Sequence, residues 1–501
     1  MKAFPPQTMK QIDSAAVSEC NISYKLLMAN AAKAVFDTMV KSIDKAFKIA
    51  ILCGKGNNGG DGYALAALFK EYGCEVFCLN VFDTFPKSQE GYEFANSFAT
   101  TGKVFTPKNI KTQDILCCDM IFDCIFGTGF CGTVEKDSYV YNLLDQINKE
   151  STAIKVAVDI PSGANGTDGR VENIAFCADL TITLAHAKPG IYSYPARHYC
   201  GEIIIADIGI PQSISNKFNT DFFVTDDEYI SDTIPVRSND SNKGSFGHLL
   251  SLCGSPNMTG APALAAMGAL RSGVGLYTQA ADPKTTSILQ AKLSEPIFLP
   301  IDTTQQSDVE ILLERLQKCS AFLIGCGIGK DLHLPKLITR LVRECPCGII
   351  LDADGINALS SNINVLKEAK KTPILTPHPL EFSRISGYSV EEINSNRLNL
   401  AVDFARQYNT VIVLKGAGTI IASPDGKAFI NPTGNSALAK GGTGDVLAGV
   451  TASFYAQGFD PFSAAVCAVY LHGKAGDILS DKYSTYGVIA SDLPLEIAKL
   501  L

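Results

Sequence analysis

The chain carries no basic excess, no apolar segment long enough to cross a membrane and no paired-cysteine metal motif. Lys and Arg number 43 against 51 Asp and Glu, a net charge of −8 over 501 residues. Without a broad basic field, a dedicated nucleic-acid or anionic-membrane binder is disfavoured. Phosphorylated small molecules stay open, because backbone amides and helix ends hold them without many Lys or Arg. No run of about 18 residues escapes charge, polar groups or Pro, so no membrane span is expected. The opening Met1–Pro6 lacks the apolar core of a signal peptide. The 16 cysteines fall along the whole chain, many in apolar runs such as those around Cys53, Cys253 and Cys467. The closest sets are Cys117-Cys118 with Cys124, Cys74 with Cys78, and Cys345-Pro346-Cys347, none with zinc-type spacing. The expectation is a cytoplasmic protein with reduced, mostly buried thiols. No G-x-x-x-x-G-K-[ST] sequence occurs, which disfavours a P-loop ATPase.

What is present is a globular composition, 46% hydrophobic and 19% charged. Short β-branched runs alternate with helical stretches through both halves, the pattern of α/β domains. Strands are expected at Lys48–Cys53, Cys74–Val81, Met120–Cys124, Ile154–Asp159, Asp179–Leu184 and Glu202–Asp207, several apolar throughout as in parallel sheets buried on both faces. A helical region over Lys10–Val40 precedes them, and a helix over Gly62–Tyr72 ends at Gly73. The polar run Arg237–Gly244 reads as a linker, after which strands recur at Gly247–Cys253, Leu276–Ala280, Ala321–Ile324, Gly348–Leu351, Pro373–Thr376 and Val411–Leu414. Ser423-Pro424-Asp425-Gly426 marks a turn between two short strands. Two domains are expected, 1–215 and 225–501, without an internal sequence repeat.

In the first half, Gly54-Lys55-Gly56-Asn57-Asn58-Gly59-Gly60-Asp61-Gly62 follows a strand and opens a helix. It satisfies the dinucleotide-binding G-x-G-x-x-G pattern, in which glycine lets backbone approach a phosphate at a helix N-terminus. The usual fingerprint continues with small apolar residues. Asn57, Asn58 and Asp61 instead place side-chain oxygens beside the glycines, which suggests an ion or sugar site next to a phosphate site. Two further loops follow strand ends: Asp123 with Gly127-Thr128-Gly129-Phe130-Cys131-Gly132-Thr133, and Asp159 with Ile160-Pro161-Ser162-Gly163. Open α/β sheets bind ligands outside the carboxyl ends of their strands, so the three loops should converge. Asp123, Ser162 and Asn58 offer hard oxygen donors for an alkali or alkaline-earth cation. Asp159 is the candidate general acid/base.

The second half carries Gly434-Asn435-Ser436, then Gly441-Gly442-Thr443-Gly444-Asp445 running into an apolar helix. Glycines before a helix N-terminus make an anion hole of backbone amides. Asp445 inside such a hole would compete with phosphate, but it suits a base that deprotonates a hydroxyl attacking a terminal phosphate. Lys415-Gly416-Ala417-Gly418-Thr419 follows a buried strand and could cradle nucleotide phosphates, and Gly325-Cys326-Gly327-Ile328-Gly329 follows another. His378, framed by Pro377 and Pro379, is expected to contact substrate.

These residues resemble two known families. Gly54–Gly62, Asp123–Gly132 and Asp159–Gly163, with Leu27–Ala31, resemble the NAD(P)H-hydrate epimerases. That resemblance implies a substrate NADHX or NADPHX, reduced nicotinamide nucleotide hydroxylated at ring carbon 6. It would be bound by Asn57, Asn58, Gly59, Gly60 and Asp61, by Gly127 through Thr133 and by Asp159, with potassium held by Asn58, Asp123 and Ser162. Lys55 stands where the family more often has Asn or Pro. The Gly-Thr-Gly-Asp loop resembles the ribokinase-like superfamily and, with Gly254-Ser255, Gly260-Ala261, Gly268–Leu276, Leu351–Asp354, Thr376–Glu381 and Lys415–Thr419, the ADP-dependent NAD(P)H-hydrate dehydratases. By that resemblance Gly273, Gly327, His378 and Asp445 contact the hydrate, while Lys415, Gly416, Ala417, Gly418, Thr419 and Gly444 hold the nucleotide. Leu380, Cys326 and Gly355 replace a usual Gly, Pro and Ala. The implied protein is a two-domain α/β enzyme, a Rossmann-like epimerase fused to a ribokinase-like dehydratase that uses ADP or ATP with magnesium and assembles as a homo-oligomer. The alternative is a ribokinase-like vitamin-precursor kinase fused to a non-catalytic scaffold.

Overall fold

The structure is a computed structural model describing residues 1–501, and it divides into two compact units, Lys2–Phe222 and Phe223–Leu501. The polar run Arg237–Gly244 is therefore not the boundary but lies inside the second unit. Arg237 explains why: its Nη2 donates to Gly273 O at 2.5 Å and to Gln457 Oε1 at 2.7 Å.

In the first unit seven parallel strands lie in the spatial order Lys103–Phe105, Glu75–Asn80, Lys48–Cys53, Met120–Cys124, Ile154–Val158, Leu180–Leu184, Glu202–Ala206. In chain order this is 3-2-1-4-5-6-7, a doubly wound sheet whose direction of growth reverses between the first and fourth strands. The first strand shows how sequence dictates this. Ile49, Ile51 and Cys53 pack with the helices Tyr24–Met39 and Asn57–Tyr72, while Ala50 and Leu52 pack on the other face with Tyr139–Glu150. A strand apolar at every position can be covered only by helices on both sides.

The expected Lys10–Val40 helix is two helices, Pro6–Cys20 and Tyr24–Met39, broken where Asn21 adopts φ 55° and Ser23 caps the second through the Leu26 amide. Residues Lys103–Phe105 form an edge strand too short for its alternation to be read from sequence.

In the second unit the parallel strands run Ile297–Pro300, Leu276–Ala281, His248–Leu252, Ala321–Ile324, Gly348–Leu351, Ile374–Leu375, Val411–Leu414, again 3-2-1-4-5-6-7 in chain order. An antiparallel pair, Ile420–Ala422 and Ala428–Ile430, extends the edge around the Ser423–Gly426 turn. Helices Gly260–Arg271 and Thr443–Ala456 cross at very short range on this sheet. A β-carbon at Gly449 would sit 2.0 Å from Ala265 O, and one at Gly268 would sit 2.6 Å from Val446 O. No helix of the chain is long and apolar enough to cross a membrane.

The glycines of Gly54–Gly62 answer to packing. The helix starts at Asn57, so Asn57 through Asp61 form its first turns instead of a loop. A β-carbon at Gly54 would lie 1.8 Å from Ile125 O, at Gly59 2.0 Å from Gly54 O, and at Gly60 2.7 Å from Met28 Cε. Gly56 alone faces open space. Gly54→Ala and Gly59→Ala should each destabilise the first unit by about 1–3 kcal/mol through overpacking against unyielding backbone. Gly56→Ala should leave the melting temperature unchanged. Equal melting temperatures for all three variants would show that the backbone can give way.

Candidate functional sites at two strand-order reversals

Parallel sheets hold ligands where strand order reverses, beyond the carboxyl ends of the diverging strands. In the first unit that point lies past Cys53 and Cys124, where the Gly54 amide donates to Cys124 O at 3.0 Å. A cleft of about 650 Å³ opens there, large enough for a drug-sized ligand. Its walls include Asn57, Asn58 and Asp61 from the helix start, Gly127, Thr128, Gly129 and Phe130 from the second loop, and Asp159.

The three loops are bolted together beneath this cleft. Asn58 Nδ2 donates to Phe126 O at 2.8 Å and to Val158 O at 3.1 Å, tying the helix to both other loops. Asp123 is fully buried; its Oδ1 accepts from Ser162 Oγ at 2.6 Å and from the Ile125 amide, and its Oδ2 from the Ser162 amide. Burial pushes the Asp123 carboxyl up to about 6, with the Ser162 hydrogen bonds working against it. Ser162 Oγ in turn accepts from the Phe126 amide at 2.8 Å.

Not every expected residue reaches the cleft. Gly59 and Gly60 are packed inward, Cys131 and Gly132 are exposed beyond it, and the Thr133 hydroxyl turns to Glu172 at 2.6 Å.

Asp159 sits at φ 70°, a conformation rare outside glycine. Its Oδ1 accepts from Lys188 Nζ at 2.6 Å and from the Leu184 amide at 3.3 Å. Lys188, only 1% exposed, spends its other donors on Leu184 O and Thr183 Oγ1. A β-carbon at Gly127 would lie 3.6 Å from Asp159 Oδ2, so that oxygen faces the loop and the cleft. Lys188 was not anticipated from sequence, although it follows the strand Leu180–Leu184 at the same carboxyl edge. Asp13 also lines the cleft unanticipated; it lies on the helix Pro6–Cys20 beside the buried Met9, Ile12 and Ala16, an acid among apolar neighbours.

In the second unit the reversal lies past Cys253 and Ile324, where the Gly254 amide donates to Cys326 O at 2.9 Å. Gly327 belongs here: its β-carbon would lie 3.1 Å from Met258 and Ala261 side chains. Asp445 stands in the first turn of Thr443–Ala456, and its carboxylate, that of Asp352 and the Cys326 thiol lie within 4.8 Å of one another. Burial, then Asp352, raise the Asp445 carboxyl to about 6, while Cys326 and Lys415 pull it down. Lys415 Nζ donates to Asp352 Oδ1 at 2.8 Å, and Thr376 Oγ1 donates to the same oxygen at 2.7 Å. Burial works to lower the Lys415 ammonium, but Asp352 and Glu381 outweigh it and hold it above its ordinary value. Gly444 is adjacent, since its β-carbon would meet Lys415 Nζ at 3.4 Å. His472 Nε2 lies 2.9 Å from Thr443 O and anchors the helix start; burial drives its pKa down to about 4.

Behind the Lys415–Thr419 loop, the buried Arg397 donates through Nη2 to Leu414 O at 2.9 Å and Lys415 O at 3.0 Å. Thr419 Oγ1 closes the loop onto Gly416 O, and Gly416 itself, at φ 145°, lies against the Arg397 guanidinium. Ala417 and Gly418 form the outer part of the loop.

One expectation changes, and His378 has a structural role that the sequence did not show. Gly273 precedes the strand Leu276–Ala281 and so lies at the opposite edge of the sheet. The Gln457 side chain donates to Ser272 O at 2.9 Å, and Gln457 ends the helix whose start carries Asp445. Twelve residues at 1.5 Å each separate Gly273's neighbourhood from Asp445 by about 18 Å. Gly273 and Asp445 therefore do not share a ligand atom; Ala261 and Met258 occupy the place beside Gly327. His378 is a helix cap: its Nδ1 accepts from the Leu380 and Glu381 amides, and its own amide donates to Glu381 Oε2. That leaves Nε2 as the donor, 3.3 Å from Glu381 Oε1.

The comparisons with known proteins agree with this division. Residues 24–190 match the family model described as YjeF-related protein N-terminus, and residues 249–499 match the NAD(P)H-hydrate dehydratase model. The bifunctional NAD(P)H-hydrate repair enzyme of Moorella thermoacetica is 35% identical over 97% of this chain and 94% of its own. Those of Coxiella burnetii and Escherichia coli are each 32% identical, over 97% and 93% of this chain and 96% and 87% of theirs. Among solved structures, the ADP/ATP-dependent NAD(P)H-hydrate dehydratase of Bacillus subtilis, co-crystallised with ATP and Mg2+, is 33% identical over 56% of this chain and 97% of that one, with a TM-score of 0.48. The chain belongs to the bifunctional NAD(P)H-hydrate repair enzymes.

The buried Asp159–Lys188 pair yields a stability test. Lys188→Met strands a buried carboxylate and should cost about 3–5 kcal/mol in denaturant unfolding, whereas adding Asp159→Asn should recover much of that loss. Single and double variants of equal stability would mean that the two charges are not coupled.

Proposed function

We propose that the first unit interconverts the R and S forms of NADHX and NADPHX, and that the second dehydrates the S form at the expense of ADP or ATP. The observation that carries this reading is one ionisable carboxylate, Asp159 or Asp445, at the strand-order reversal of each sheet, in a chain matching both halves of one repair family end to end.

In the first cleft, Lys10 lies near Gly129 and Lys55 stands on the rim, so the dinucleotide phosphates have cationic neighbours at the mouth. Asp159, with Oδ1 clamped by Lys188, presents Oδ2 to the substrate as base. The donor set beside it suits potassium: it is all oxygen, and Asn58 Oδ1 is buried without a hydrogen-bond partner. Asn58, Asp123 and Ser162 would hold the ion, whose charge would stabilise developing negative charge on the substrate.

In the second unit, Lys415 and the amides of Gly416, Ala417, Gly418 and Gly444 receive the nucleotide phosphates, with the helix dipole of Thr443–Ala456 adding to them. Asp445 takes the proton of the carbon-6 hydroxyl, whose oxygen attacks the terminal phosphorus and displaces AMP when ADP is the donor. Phosphate then leaves carbon 6 with the C–O pair, carbon 5 loses a proton, and the ring double bond of NAD(P)H is restored. Phosphate is a far better leaving group than hydroxide, which is what the nucleotide supplies. Magnesium would offset phosphate charge. Asp352 and Asp445 are suitable hard donors, whereas Cys326 is too soft to favour it.

Asp445→Asn keeps the helix start and should still bind ADP, yet dehydration of S-NADHX should fall about 10²–10⁴-fold with epimerisation intact. Because burial raises Asp445 to about 6 and the base must be ionised, wild-type dehydration should fall as pH drops below about 6. Full dehydration by Asp445→Asn would sink the base assignment; a stable phosphorylated product without NADH would favour the kinase reading. Epimerisation measured in potassium and in potassium-free sodium buffer should differ, and equal rates would dismiss the cation site.

A further inference from the structure

If the first unit is the epimerase, inversion at carbon 6 needs two proton-handling groups, and the role of the second rests on that reading. Carbon 6 bears the hydroxyl and is bonded to ring nitrogen 1. Breaking that C–N bond removes the stereocentre, but one group must take the hydroxyl proton while another supplies one to nitrogen. A single carboxylate cannot do both at once.

The cleft contains a second group suited to the task. Lys188 is not it, because all three of its donors are engaged by Asp159, Thr183 and Leu184. Asp61, 9% exposed on the second turn of Asn57–Tyr72, lines the cleft and makes no hydrogen bond within the protein. A carboxylate buried without donors is costly, whereas a carboxylic acid there is not. The charge balance points the same way. Lys188 is the one buried ammonium beside Asp13, Asp61 and Asp159, and with Glu90 against Lys10 and Lys55 at the mouth, ionising every acid would leave the cleft net negative before a dinucleotide brings its own phosphates. The groups facing Asp61 are Asp13 and Lys10 from the helix Pro6–Cys20, Cys124 from its strand, Asp159 with Lys188, and Lys55 and Glu90 on the rim. Burial, then Asp159 and Asp13, push its carboxyl well above the ordinary range.

We propose that Asp61 is the general acid that works with Asp159 as base, and that Asp13 is a positioning residue that keeps the proton on Asp61. Asp159 takes the hydroxyl proton and the O–H pair becomes the second bond of a carbonyl at carbon 6. The C6–N1 pair passes to nitrogen, which takes the proton of Asp61. Rotation about the C5–C6 bond presents the other carbonyl face. Nitrogen re-attacks and returns its proton to Asp61, and the oxygen recovers its proton from Asp159. The step consumes nothing and is reversible, as an epimerase requires.

The test uses the full chain without nucleotide, following R-NADHX to S-NADHX by chromatography across pH. Wild type should show an alkaline limb, because the reaction stops when Asp61 loses its proton. Asp61→Asn should lower kcat about 10²–10⁴-fold, leave KM within about threefold and abolish that limb. Asp13→Asn removes a neighbouring negative charge, so the limb should move to lower pH. This second variant carries the test if Asp61→Asn fails to fold. Asp61→Asn with kcat within about threefold of wild type, or a limb unmoved by Asp13→Asn, overturns the pairing while the epimerase reading stands. A wild-type chain that does not interconvert the epimers overturns that reading as well.

Discussion

Both sites depend on one geometric constraint, the reversal of strand order between the first and fourth strands of each parallel sheet. At that point the connections leave in opposite directions, and the gap past the strand ends cannot be filled by either crossover helix. The backbone then has to approach itself closely to keep the gap narrow. Gly54, packed against Ile125 with its amide donated to Cys124 O, and Gly254, with its amide donated to Cys326 O, do this in the two units. Asp159 and Asp352 each follow the fifth strand, Ile154–Val158 and Gly348–Leu351, one place beyond the reversal at the same carboxyl edge, so topology places them beside the gap before any chemistry is asked of them.

Charge in such a gap has to be compensated locally, and the two units do it differently. In the first, the buried Lys188 holds Asp159 through one donor and is itself fixed by its bonds to Thr183 Oγ1 and Leu184 O, so the pair is fixed and one carboxylate oxygen stays open. In the second, Lys415 bonds Asp352 yet sits beside Gly444 and the helix start, where it can also meet an arriving phosphate. Arg397 shows the cost of the arrangement. It is 5% exposed, has no carboxylate in an ion pair, and its Nε finds no partner, so burial lowers its pKa to about 10. Its two bonds to Leu414 O and Lys415 O turn those carbonyls inward, which leaves the following loop amides free to face outward.

The strand ends were legible because parallel strands write themselves as unbroken apolar runs, and Lys48–Cys53, Met120–Cys124, Ala321–Ile324 and Val411–Leu414 begin and end where their sequences suggest. The convergence of the Asn58, Asp123 and Ser162 loops followed from the same rule. What sequence hid was the reason for particular residues. Glycines in Gly54–Gly62 read as room for a phosphate, yet most of them make room for Ile125, Met28 and neighbouring backbone. Gly273 lay in a motif with the right neighbours but at the wrong edge of its sheet, a distinction invisible until strand direction is known. His378 between two prolines reads as a positioned contact, and the sequence did not show that its Nδ1 also caps the following helix. Lys188 and Arg397 left no pattern, because a lone cation becomes significant only when its partner is seen.

The helix Thr443–Ala456 ties these points together. Its N-terminus collects unpaired amides, and an acidic residue there would ordinarily be stabilised as the anion by the dipole. Asp445 is nevertheless raised, because burial and Asp352 outweigh that effect and the pull of Cys326 and Lys415. The helix cannot retreat to relieve the crowding: Gly449 and Gly268 lock it onto Gly260–Arg271 at backbone contact, and His472 holds Thr443 from behind. A carboxylate that must stay among its own kind is a better proton acceptor than one free to relax. The packing glycines therefore hold the helix start where burial and Asp352 act on Asp445.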